Sequence, residues 1–180
     1  MIKDRAEMLT LIDDETERLL EGVARLDDAG IRRPSLLPGW TRGHVLAHLA
    51  RGGDALRNLL TWGRTGVETP AYASQEARDK AIEEGSVRPA AELLADVSQS
   101  AAAFREAVNM MPEASWDAVV RALNIPEIPM EELVLRRLRE VVLHHTDLDI
   151  GYRPADWPAA FAEMEMPEPM RSEREDRRSW

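Results

Sequence analysis

The histidines of this chain fall in two places, His44 and His48 four residues apart and His144 beside His145. Histidine and carboxylate side chains bind divalent ions and move protons near neutral pH, so their spacing is the first feature to weigh. On a helix, Glu140 and His144 differ by only roughly 40° around the axis and project from one face in successive turns. Met130, Leu133 and Leu148 share that flank and turn it inward, where an unpaired carboxylate is costly. Glu140 therefore needs a cation or strong donors, such as Arg137 or another core arginine. His145 lies about 100° further round and cannot face the same ion as His144.

On the other helix, Val45, Leu49, Leu56 and Leu60 mark the core side. His48 lies nearer that stripe than His44, which belongs near the helix mouth, and Gly52 one turn on leaves room beside His48. His48, Glu140 and His144 make a two-histidine, one-carboxylate set, suited to zinc or another divalent first-row metal with an open position. A histidine on an apolar face is more often a hydrogen-bonded core residue. Glu-x-x-x-His also recurs by chance, so spacing alone leaves a metal site and a core salt bridge both standing.

The elements that must position these residues are helical. Sustained apolar and polar alternation is almost absent, whereas helical periodicity is everywhere. A first helix is expected from about Asp4 to Asp28, with Leu9, Ile12, Leu19 and Val23 on its buried stripe. A second opens after Thr41, placed as an N-cap, and continues to about Trp62. A third runs from Pro89 to Met110 with Leu93, Leu94, Val97, Phe104 and Val108 inward, and a fourth from Met130 to Leu148. SQEARDKAIEEGS reads as a short helix or ordered loop and LNIPEIP as a linker, with PADWPAAFAEM a further short helix. The arrangement predicts an all-α four-helix bundle over residues 1–150, followed by a 151–180 extension whose charged end RSEREDRRSW is expected to be disordered.

The chain has 180 residues, enough for one domain with a sizeable core. Its formal charge of −10 would repel nucleic-acid phosphates. No apolar run approaches the roughly 18 residues of a membrane span, and the acidic start does not read as an export signal, so a cytoplasmic location is expected. Cysteine is absent, so any thiol chemistry must use a borrowed thiol.

The segments LPGWTRGHVLAHLARGGDALRNLL, TGVETPAYAS and EARDKAIEEGS, and later REVVLHHTDL, are similar to the N-terminal domain of the mycothiol-dependent maleylpyruvate isomerase family. The resemblance covers roughly residues 1–150 and implies the DinB-like bundle and a divalent metal, usually zinc, on His48, Glu140 and His144. It also implies mycothiol as cofactor: its thiol adds to the alkene of maleylpyruvate, the new single bond rotates, and elimination gives fumarylpyruvate. Small-molecule partners are thus expected, with the segment from Gly63 to Ser86 as a wall of the site entrance. Trp62 and Tyr72 are candidates to line the cofactor pocket, with ordinary core packing as the alternative for both. Family members carry a second, smaller domain after the bundle, which contributes an arginine and part of the substrate cleft, and the residues after Leu148 do not read as such a domain. A mycothiol S-transferase acting on another electrophile, or a non-catalytic metal-binding bundle, are the competing functions.

Overall fold

In the computed structural model, residues 5–178 are described and form eight α-helices and one two-stranded hairpin. Asp4, the expected start of the first helix, and the last two residues of the expected tail lie outside them. The long helices are α1 (Arg5–Val23), α3 (Arg42–Thr65), α5 (Ala90–Asn109) and α6 (Glu132–Asp147), joined by α2 (Asp28–Ile31) and α4 (Gln75–Ser86). α3 packs on α5 and α6, and α1 on the same pair, which makes the DinB-like helical fold. Leu9, Ile12, Leu60, Phe104, Leu133 and Leu138 fill one end of the core, while Leu19, Val45, Leu49, Leu93, Val97 and Val141 fill the other.

Caps set the helix ends. Thr41 opens α3 by accepting the His44 backbone N–H, and His44 Nδ1 accepts the Thr41 N–H at 3.2 Å. Gly66 closes α3 in the left-handed region at φ 71°. α1 stops at Val23 instead of reaching Asp28, because Asp27 accepts the Gly30 N–H at 2.7 Å and caps α2. Asp28 then accepts the Ala90 N–H at 2.8 Å and fixes the start of α5.

Two arginine ties bring α3 and α6 into register. Arg42, buried at the start of α3, donates from Nε to Leu148 O at 2.7 Å and from Nη2 to Asp149 O at 2.6 Å. A guanidinium there satisfies carbonyls that a helix C-terminus leaves open and lies at the negative end of its dipole. His48 on α3 is thereby held opposite Glu140 and His144 on α6.

Two expectations need correction. The segment read as the linker LNIPEIP contains β2 (Ile125–Pro129), which pairs antiparallel with β1 (Val119–Ala122). Each strand is only four or five residues long and β2 carries Pro126 and Pro129, which argue against a strand from sequence. Pairing survives because Val120 and Ile128 are both buried against the core. The expected disordered tail instead contains α8 (Met170–Arg178), which packs on α6 after the short α7 (Ala159–Ala162). Met170 is fully buried, Arg174 Nη1 donates to Phe161 O and Met164 O, each at 2.7 Å, and Arg177 and Glu173 pair with Asp147 and Arg139 of α6, so this charged run folds by giving its charges partners. No helix among the described residues is long and apolar enough to cross a membrane.

The glycine at 43 permits a close helix contact, since a Cβ there would lie 2.2 Å from the Ser86 carbonyl oxygen of α4. Gly43→Ala should lower the unfolding free energy by about 2 kcal/mol or more, beyond the roughly 1 kcal/mol alanine gains over glycine in a helix. Chemical denaturation measures this, and an unchanged midpoint would contradict the contact.

Beyond the end of α6, Tyr152 donates to the buried Glu15 carboxylate at 2.5 Å and pins the chain onto α1. Burial pushes the Glu15 pKa up, against the opposing pull of the Tyr152 bond and Arg18. A carboxyl with a raised folded pKa lends stability at low pH that is lost as pH rises through that pKa. Glu15→Gln keeps an acceptor for Tyr152 and removes the titration, so its melting temperature relative to the parent should climb between pH 4 and 8. A pH-independent difference would show that Glu15 carries no such shift.

Candidate metal centre

One ligand atom each from His48, Glu140 and His144 lie within 4.8 Å of one another. His48 Nε2 is 2.9 Å and His144 Nε2 3.1 Å from the same carboxylate oxygen, Glu140 Oε2. All three side chains are largely buried, with 12–13% of their surface exposed. The two imidazoles meet nearly edge to face, at 88° with centroids 4.6 Å apart. Gly52 makes the space anticipated for it: Glu140 Oε2, 4.0 Å from a Cβ built there, is its nearest neighbour.

The other Glu140 oxygen takes a hydrogen bond from Arg139, whose guanidinium also pairs with Glu173 of α8. Arg137, the core arginine considered above as a partner for Glu140, instead donates to Leu49 O. Burial pushes the Glu140 pKa up, but Arg139 and the two histidines outweigh it and hold it well below the usual carboxylate range. Burial lowers the His48 pKa, partly offset by Glu140. His144 goes the other way: burial opposes protonation, but its hydrogen bonds to Asp147 and Glu140 raise the pKa above that of free histidine. The site thus presents an anionic carboxylate flanked by two imidazoles of opposite tendency.

A second layer orients the rings. His144 Nδ1 meets Asp147 Oδ2 at 2.7 Å, and fully buried Asp147 is gripped by Arg177 of α8 at 2.8 and 3.0 Å. A carboxylate on the far nitrogen fixes the tautomer that leaves Nε2 free as a ligand. Arg78 of α4 lies 3.3 Å from His48 Nδ1 and beneath Tyr72. His44 is spent on capping α3 and on Glu83, 3.1 Å away, and His145 stacks on Tyr152 at 3.9 Å.

Two cavities meet at Glu140. One, of about 180 Å³, has an apolar floor including Leu56, Leu59 and Ile128, with Arg78, Arg136 and Arg139 on its walls. Ala71 and Tyr72 come from the expected entrance wall, and the β hairpin closes the far side. The other, of about 320 Å³, opens past Trp40 and His144 towards Glu173 and Arg177. Tyr72 therefore lines the site, whereas Trp62 packs on the core beneath Arg121 and lines neither cavity. Sequence reasoning missed Arg78 and Arg177. Asp147, three residues after His144, could have been found by the helical spacing that found Glu140.

Residues 12–149 match the family described as the mycothiol maleylpyruvate isomerase N-terminal domain. The chain belongs to this family. Crystal structures of the mycothiol-dependent maleylpyruvate isomerase and of a histidine-to-alanine mutant of it superpose with a TM-score of 0.84, at 34% and 33% identity. Each comparison covers 88% of this chain and 66% of the isomerase, so the chain spans slightly less than two thirds of that protein's length. No curated protein sequence matches the chain significantly.

The contact between α8 and Asp147 has a measurable consequence. Arg177→Ala should raise amide exchange across Met170–Arg178 while α6 stays protected by its buried face. Unchanged exchange in α8 would mean that its apolar contacts alone hold it.

Proposed function

We propose that this chain uses a divalent ion, zinc by the chemistry of its donors, and mycothiol to isomerise maleylpyruvate to fumarylpyruvate. The observation that carries the reading is the convergence of His48, Glu140 and His144 beside an arginine-walled cavity. Two imidazoles and one carboxylate at 2.9 and 3.1 Å suit a single ion with bonds of roughly 2.0–2.2 Å. An ion bound there lowers the pKa of a nearby thiol and polarises carbonyl and carboxylate oxygens.

The chain's own residues would do the rest. Arg78, Arg136 and Arg139 offer cationic donors for the carboxylates of a small dianion. The apolar floor under Leu56 and Ile128 excludes water from the alkene, and Tyr72 offers a hydroxyl that burial keeps protonated. In the reaction, the mycothiol sulfur adds to one alkene carbon and a proton to the next. The resulting single bond turns, and loss of that proton and the thiol restores the alkene in the trans form. The chain lacks cysteine, so the adding sulfur must come from the cofactor.

The test is an assay of maleylpyruvate isomerisation on metal-loaded and metal-stripped protein, with and without mycothiol. Turnover is expected only with both, and His48→Ala should abolish tight metal binding and turnover while leaving helix content unchanged. Thiol-independent turnover would overturn the mechanism. Mycothiol conjugation to other electrophiles without isomerisation would make the chain an S-transferase, and metal binding without any turnover would make it a binding module.

A further inference from the structure

Outside the candidate metal centre, the largest departure from polar satisfaction among the described residues lies at Arg137. Its side chain is 1% exposed in the middle of the bundle, and its sole hydrogen bond runs from Nη1 to Leu49 O at 3.2 Å. Nε and Nη2 have no partner. The carboxylates that influence it, Glu140 and Asp54, make their contacts with other groups, and burial pushes its pKa down to about 10. A guanidinium that remains charged and cannot accept a hydrogen bond calls for an anionic acceptor.

Arg137 lines a groove of about 460 Å³ between α1 and α5. Two other donors on its walls are also buried and unpartnered: Thr16 Oγ1 from α1 and Arg105 Nη1 from α5. Three elements thus each bring to this groove a residue that carries a buried, unpartnered donor. Otherwise the walls are mostly apolar, with Leu9, Ile12 and Phe104 among them. At the rim stand Asp13, Glu17 and Glu21, all exposed, of which Asp13 pairs with Arg105 at 3.6 Å.

We propose that the α1–α5 groove is a second binding site, for a small organic monocarboxylate whose head group is taken by Arg137 and whose apolar body lies along Leu9, Ile12 and Phe104. Arg105 and Thr16 supply further donors to the same head group. The acidic rim selects against dianions and phosphates, which separates this site in ligand class from the three-arginine cavity at Glu140. The inference does not depend on the proposed isomerase activity.

The probe is hexanoate, titrated calorimetrically into the full chain, with 1-hexanol as a neutral ligand of the same length. Hexanoate should bind saturably and 1-hexanol about tenfold or more weakly, because the alcohol cannot engage a charged guanidinium as strongly. Arg137→Met tests the guanidinium directly, but it alters the core and can fail to fold. Ala101→Leu, which fills the groove from its α5 wall, therefore serves as the second variant and should weaken hexanoate about tenfold. His48→Ala should leave the hexanoate affinity unchanged. Absence of saturable binding, equal affinity for the alcohol, or loss of binding in His48→Ala with retention in Ala101→Leu would each overturn the proposal.

Discussion

The buried carboxylate of Glu140 is the constraint around which this molecule is arranged. An ionised group in the core is tolerable only when every lone pair has a donor or a cation, and here two imidazoles share one oxygen while Arg139 takes the other. Each of those partners has to be held in turn. His48 depends on the register of α3 against α6, which Arg42 sets by gripping the end of α6. His144 depends on Asp147, and Asp147 on Arg177. Arg139 is shared with Glu173, again on α8. The final helix is thus part of the charge balance of the core, although almost none of its own surface is apolar.

That dependence explains what could and could not be read from the amino-acid order. Glu140 and His144 were legible because one helix carries both, and helical geometry converts spacing directly into a shared face. His48 was legible because an apolar stripe showed which side of α3 is inward. The resemblance to the isomerase family implied a metal there, a reading that periodicity alone left open beside a core salt bridge. Arg78 and Arg177 were not legible, since each reaches the site from an element whose docking depends on long-range contacts. A run such as RSEREDRRSW reads as solvated unless its partners are known, and those partners, Asp147 and the carbonyls of Phe161 and Met164, are remote from most of it in sequence. The hairpin was hidden for a related reason: two prolines and two short strands give no local signal, and only burial of Val120 and Ile128 justifies the pairing.

The distribution of the chain's arginines sets the cavity beside Glu140 apart from the acidic molecule around it. A formal charge of −10 describes the whole surface, but the cavity beside Glu140 is walled by three guanidiniums. Several other arginines are turned inward as ties on backbone carbonyls, as Arg42 and Arg174 are. The planar fork of arginine suits this use better than the ammonium of lysine, because it can bridge two acceptors in fixed geometry.

The contact between Arg78 and His48 carries a further meaning. A guanidinium only donates, so at 3.3 Å it requires His48 Nδ1 to be unprotonated, which leaves the ring proton on Nε2, facing Glu140. An imidazole that gives Nε2 to an ion must carry its proton on Nδ1, and the Arg78 contact is then forfeited. Ion occupancy and the freedom of Arg78 are therefore linked through one proton on one ring. Were an ion and an anion held by Arg78 both to bind, thermodynamic reciprocity would make each favour the other by the same factor.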